Sequence, residues 1–293
     1  MESDEQQIEA LLRLIDDPDH EVYTTVAKKI LDYGSGIIPR LESLWETTPN
    51  ESVQERLEML IHRVHFQILR DAFIEWAAED QPDLLTGALL IARYQYPDLN
   101  HEDILTRIKK LERNVWLELN NYLTALEKIN ILNSMLYNHF HIKSTEVNQS
   151  FPKHFFINSI LESKEGNALS IGILYQVLCQ RLDIPVHAIG LPRQLLLGYF
   201  NNFSDGFEKE ILMDHKRNSI LFFIDPATGQ IFSNNDVKAY LKRLMIPLRS
   251  QYFQPQSNKN IVQITLKELS LYYKDAPHQY KYEDLKELVR ILS

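Results

Sequence analysis

The stretch GNALSIGILYQVLCQRLDIP, residues 166–185, decides how the rest of the chain is read. From Ala168 to Leu182 it contains no proline and a single glycine, Gly172. Apolar side chains (Leu169, Ile171, Ile173, Leu174, Val177, Leu178, Cys179, Leu182) fall on nearly every face of a helix turning once every 3.6 residues. A helix that is apolar all round has to be buried on all sides, so this segment is predicted to be the central helix of a domain. Three strand-like runs follow: VHAIGL (186–191), QLLLGYF (194–200) and SILFFI (219–224), the last running into the turn DPATG (225–229). A buried helix followed by antiparallel strands predicts an α+β domain.

This order of parts resembles the transglutaminase-like superfamily of papain-type thiol enzymes, and within it the SirB-type branch of bacterial proteins. In that superfamily a glycine precedes a nucleophilic cysteine at the start of the core helix. A histidine sits on the following strands, and an aspartate closes a later strand before a proline. Here the helix ends in LDIP (182–185), and a gap-free count back from Pro185 puts the cysteine position at Ala168. The segment GLPRQLL (190–196) places the histidine position at Gln194, and the aspartate position is Asp225. The resemblance covers about residues 82–293. It takes in DLLTGALLIARYQYPDLN (83–100), FINSILESKEGNALS (156–170) and YEDLKELVRILS (282–293), the last similar to the start of a tetratricopeptide-like tail.

Two of the three catalytic positions thus carry the wrong chemistry. A thiol at a helix N-terminus ionises readily because unpaired N–H groups and the helix dipole favour the thiolate; Ala168 has nothing to ionise. A carboxamide at Gln194 cannot carry a proton as an imidazole does. Loss of one member of such a unit costs on the order of 10⁴–10⁶ in rate. Asp225 has a sufficient role as the first residue of an Asp-Pro-x-x-Gly turn. Ser170 is the nearest hydroxyl, about 200° around the helix from Ala168, and Cys179 reads as a small buried hydrophobe. The resemblance therefore implies a catalytically inactive domain that binds a protein or peptide, with Asn167, Ser170, Arg193, Gln194 and Asp225 as candidate cleft residues. The rival is a hydrolase or transferase with a rearranged site, pairing Ser170 or Cys179 with His187.

The chain of 293 residues has room for one large domain or two smaller ones. One cysteine excludes an internal disulfide framework and a four-cysteine zinc site. The start MESDEQQIEA carries neither a basic nor an apolar signal, and no run is long enough to span a bilayer, so the expected location is cytoplasmic with no membrane partner. A net charge of −9 argues against nucleic acid as a partner. That charge is concentrated: residues 1–80 hold 18 acidic and 7 basic side chains, while the remainder is nearly balanced. The shift predicts an acidic helical region over 1–80, a transglutaminase-like domain over 81–232 and a helical tail over 233–293.

Within the acidic part the apolar spacing predicts helices at about 5–16, 20–33, 37–47 and 51–79. The unit 14–46 resembles a HEAT-type repeat, although a helical cap would show the same period. Further on, helices are predicted at about 101–119 with Asn100 as cap, at 122–140, 234–248 and 261–273. Glu58, His62 and His65 stand at i, i+4 and i+7 of the long helix, a spacing that suits metal ligands, but no further ligand completes the set, and no metal is expected. His139, His141 and His154 surround a loop. Phosphate-loop, HExxH and GxSxG motifs do not occur, and no cofactor is expected.

Overall fold

In the computed structural model the described residues are 2–145, 151–192, 194–201, 220–275, 277 and 279–293. They fall into two compact units, Met1–Glu75 and Trp76–Ser293.

The first unit is built from α1 (Glu2–Arg13), α2 (His20–Asp32), α3 (Ile38–Thr47) and most of α4 (Glu51–Ala78). Pro18 ends the first helical pattern, and the Asp19 carboxylate then accepts from the Glu21 amide at 2.8 Å, capping α2. A 3₁₀ turn, Gly34–Ile37, opens with Gly34 at φ +60°, where a side chain would be strained. The apolar stripes meet in one core that includes Ile15, Val26, Ile30, Leu41, Leu57 and Leu60. Arg56 closes it from α4. Its guanidinium donates to the carbonyls of Ile15 (3.0 Å) and Asp17 (2.8 Å) and lies 5.0 Å from the centre of the Tyr23 ring.

The second unit starts with α5 (Leu84–Gln95) and α6 (His101–Glu118), capped by the side chains of Asp83 and Asn100. Next comes α7 (Ala125–Asn133), opened by a Thr124–Glu127 capping box. The pattern predicted one helix through 140. The structure instead widens into a π-helical stretch at Ser134–His139. Two-residue strands β1 (Lys143–Ser144) and β2 (Glu165–Gly166) pair in parallel on either side of α8 (Ile157–Ser163). Both are too short to show any alternation in the sequence.

The central helix is α9 (Ala168–Arg181), buried at every residue from Ser170 to Cys179, as its all-round apolarity predicted. The strands β3 (Val186–Leu191), β4 (Gln194–Phe200), β5 (Ile220–Ile224) and β6 (Ile231–Phe232) form one antiparallel sheet in sequence order. The α+β expectation therefore holds. One sheet face packs on α9. The other covers a core of Ile189, Leu196, Phe200 and Phe223 together with Val237 and Leu241 of α10 (Asn234–Arg243). That helix stops short of the predicted 248 because Met245 turns into the left-handed region (φ 54°) before Pro247.

The chain ends with α11 (Asn258–Leu271) and α12 (Gln279–Ile291). The helical tail expected from residue 233 onward packs within this same unit. The reason is polar as well as apolar: the Gln176 carboxamide, 1% exposed inside α9, accepts from the Ala188 amide at 2.7 Å and donates to Asn258 at 3.3 Å. Asn258 in turn donates to the Pro82 carbonyl at 3.1 Å.

Candidate functional site

Ala168 is the first residue of the core helix, the place where a nucleophile would gain most from the helix dipole. Its neighbours are committed to holding the helix end. The Asn167 side chain accepts from the Ser170 amide at 2.9 Å, and the Asn167 amide donates to Ser170 Oγ at 3.1 Å, a reciprocal cap. Ser170 Oγ donates to the His154 carbonyl at 2.6 Å and is buried. Gly166 is what lets this knot close, since a Cβ there would lie 2.9 Å from Ser170 Oγ and 2.8 Å from Ile160.

One turn along the same helix face, Gly172 fixes what lies opposite. A Cβ on it would meet Leu195 Cδ2 at 2.8 Å and the Pro226 ring at 3.4 Å. Leu195 and the Asp225-Pro226 corner are thus brought to the helix. Because side chains alternate along a strand, Gln194 turns to the other side of the sheet. There it lines a groove of about 520 Å³ with Leu196, Phe232, Asp236, Tyr240 and Arg243. The Asp225 carboxylate is spent in its own turn, accepting from the Ala227 amide at 2.9 Å and the Thr228 hydroxyl at 3.0 Å. Tyr137 donates to the Pro226 carbonyl (2.8 Å) and Asn133 to the Gly229 carbonyl (2.7 Å), so the π-helical stretch and the end of α7 clamp that corner. Tyr175 of α9 completes the clamp by donating to Asn133 Oδ1 at 2.9 Å. Arg193 lies outside the described residues.

The groups named for a rearranged site are also separated. Cys179 is fully buried, and burial pushes its thiol well above the ordinary range. His187 is paired with Gly198 and sits edge-on to Phe200, a member of the core on the α10 side of the sheet. Burial lowers its pKa to about 4. His154 is buried, with Nδ1 accepting from the Phe151 amide at 3.0 Å and Nε2 3.9 Å from the Glu165 carboxylate. Burial, reinforced by Lys153 and opposed by Glu165, lowers its pKa. His139 packs edge-on to Phe140, and His141 takes a left-handed φ of 56°. In the first unit, Glu58 accepts from the Trp45 indole at 3.1 Å, and His62 stacks on Phe66. Among the described residues no group of three or more His, Cys, Asp or Glu is placed to hold a metal ion, and no helix is long and apolar enough to cross a membrane.

A buried helix opening beside an antiparallel sheet, with an Asp-Pro corner against its first turns, is the arrangement the resemblance implied. The family model described as the transglutaminase-like superfamily matches residues 102–267. The chain belongs to that superfamily. Among curated proteins it is 24% identical over 197 residues to a UPF0162 protein of Pseudomonas aeruginosa, covering 66% of each chain. It is 20% identical over 186 residues to the UPF0162 protein YchA of Escherichia coli K12, covering 64% of each. With a UPF0162 protein of Vibrio cholerae it shares 23% over 186 residues, 62% of this chain and 63% of the relative. The matched segment therefore spans just under two thirds of the length of these relatives. No solved structure matches significantly.

Several residues that shape this region were not singled out in the sequence. Leu195 occupies the place facing the core helix, which only the strand register assigns. Asn133 and Tyr137 lie about ninety residues from the corner they hold, and nothing local signals so distant a contact. Asp236, Tyr240 and Arg243 recur at helical spacing around Val237 and Leu241, but that pattern also fits any amphipathic surface helix.

Proposed function

We propose that this domain is a non-catalytic member of the transglutaminase-like superfamily that binds a protein or peptide. The observation that carries the reading is the environment of Ala168: a methyl group at the nucleophile position, with the Leu195 side chain, not an imidazole, on the facing strand one turn along. The neighbouring Ser170 hydroxyl supports it, because its proton is given to a backbone carbonyl and its oxygen is engaged by the Asn167 amide. An activated nucleophile needs a base within hydrogen-bond reach. The buried thiol of Cys179 and the half-buried His187 stand on opposite sides of the sheet and do not supply that pair. The SirB-type affiliation and a HEAT-like stacking role for the acidic first unit belong to the same proposal. They are supported by the order of elements in the second unit and by the helical hairpins of the first.

The test is direct. Purified protein is incubated with amide and ester substrates, and in parallel with iodoacetamide and a fluorophosphonate probe under native conditions. Neither turnover nor labelling is expected. Turnover that disappears in Ser170→Ala, or native labelling of Cys179, would overturn the reading in favour of the rearranged hydrolase.

A further inference from the structure

We propose that His154 is a pH-operated latch beside the start of the core helix: neutral, its ring holds the Phe151 amide, and protonated it trades that bond for Thr145 and Glu165 and releases the chain at Phe151. The device stands whether or not the Ala168 end of the domain retains chemistry. It shares a residue with the helix start, because the His154 carbonyl accepts from both Ser170 Oγ (2.6 Å) and the Asn167 amide (3.2 Å) where α9 opens. The side chain is 3% exposed. Its Nδ1 accepts from the Phe151 amide at 3.0 Å, which fixes the neutral tautomer with the proton on Nε2. That buried N–H has no hydrogen-bond partner among the described residues. It lies 3.9 Å from a Glu165 carboxylate oxygen, about 1 Å beyond hydrogen-bond length, on a side chain that is 49% exposed and able to swing. Thr145 Oγ1 stands 3.4 Å from Nδ1 with its own proton given to the Gly166 carbonyl at 3.1 Å, so it has a lone pair to offer.

A buried polar group without a partner costs free energy, so the neutral state is not fully satisfied. A protonated ring carries two donors and no acceptor. Its Nδ1–H would confront the Phe151 N–H donor to donor, and one of them has to leave. Phe151 has little to hold it: its side chain is 61% exposed, and Pro152 after it has no amide N–H to pair again. Thr145 and Glu165 then take the two ring protons. Each state of the switch thus has its own named contacts, as a two-state element requires. The charged groups acting on the ring are Lys153 on its own turn and Glu165 on β2. Of the other elements around it, α9 presents the uncharged Asn167 and Ser170, and the first turn of α8 carries Asn158 and Ser159. The Lys143 side chain of β1 is exposed, and α11 reaches this turn through Tyr272 against Phe155. Burial and Lys153 hold the latched ring's pKa below the ordinary 6.5 against the pull of Glu165, while a released ring regains it. The latch is therefore fully stable above about pH 6.5 and is lost as the pH falls below that value.

The experiment uses the full chain and amide hydrogen exchange resolved by NMR, corrected for the intrinsic effect of pH, between about pH 7.5 and 5. Protection of the Phe151 amide should fall by about tenfold or more, while the amide of Leu266, buried in α11, loses far less. His154→Gln has a carboxamide oxygen that can still accept from Phe151 but does not titrate, and it should show no such fall. Glu165→Gln removes the partner of the charged ring and should move the midpoint of the fall down by about half a pH unit. Its half-exposed position keeps the latch testable even where His154→Gln fails to fold. Full protection of Phe151 in the wild type at pH 5, an equal fall in His154→Gln, or an equal fall at Leu266 would each overturn the proposal. So would a midpoint that Glu165→Gln leaves in place or raises.

Discussion

Gly172 and Leu195 are in direct apposition: a Cβ on Gly172 would stand 2.8 Å from Leu195 Cδ2. The contact sets how closely the core helix approaches β4. Two effects oppose each other in Gly172→Ala. Replacing a mid-helix glycine gains about 1 kcal/mol of helix propensity, while the flexible end of Leu195 must move aside. The expected net change is within about 1 kcal/mol of zero. Gly172→Val adds branches that also meet the Pro226 ring, which cannot swing away, and should cost about 2–3 kcal/mol. Leu195→Ala in that background should recover part of the loss, a coupling that urea unfolding of the four proteins would measure. Simple additivity of the two substitutions would show that the helix face is not seated as described.

The buried Gln176 carboxamide ties α9 to β3 and to α11. Gln176→Leu keeps the volume but strands the Ala188 amide donor, and an unsatisfied buried group costs about 1–3 kcal/mol. Gln176→Glu should be worse near neutral pH, because it buries a charge and loses the donor to Asn258, and should recover as the pH is lowered and the carboxyl is protonated. An unfolding midpoint for Gln176→Glu that is flat with pH would contradict this account.

Arg56 closes the first unit through two backbone carbonyls and an aromatic face. Arg56→Lys retains the charge but not the planar fork that reaches both carbonyls and stacks on Tyr23. Both Arg56→Lys and Arg56→Ala are therefore expected to destabilise this unit, by about 1–3 kcal/mol for alanine. Hydrogen exchange at residues 14–24 should accelerate in both variants, with little change in residues 168–200. Wild-type exchange rates in Arg56→Ala would remove the guanidinium from the account of the α1–α2 turn.

The sequence was most legible where one side chain speaks for its own segment. The all-round apolarity of 168–182 foretold a buried helix, and Asn100 announced a helix start that its side chain caps. The strands of 186–200 were legible from their apolar β-branched and aromatic content. What stayed hidden depends on pairing. A one-residue difference in facing separates Gln194 from Leu195, and only the register with β3 and the contact to Gly172 decide which of them meets the core helix. The π-helical widening at Ser134–His139 was hidden too, because its apolar spacing is nearly that of an α-helix. A run starting at Ser219 was also predicted as strand; β5 begins at Ile220, and Ser219 lies outside the described residues.

His187 gives a pH dependence whose sign follows from its surroundings. Burial lowers its folded-state pKa to about 4, against an ordinary value of 6.5. Between those values the unfolded chain binds a proton that the folded chain refuses, so stability rises with pH across that window and is lost as pH falls from about 6.5 towards 4. A full shift of this size corresponds to about 3 kcal/mol, reduced where the ring edge meets solvent. His154, lowered in the same direction by burial, adds to the slope. The non-titrating variant His187→Gln should lose some stability near pH 7.5, through the missing edge contact with Phe200, yet show a smaller drop on going to about pH 4.5. Urea midpoints at the two pH values for wild type and variant measure the difference. An identical drop in both proteins would mean that His187 is solvated when folded, and the packing described for the α10 face of the sheet would have to be redrawn.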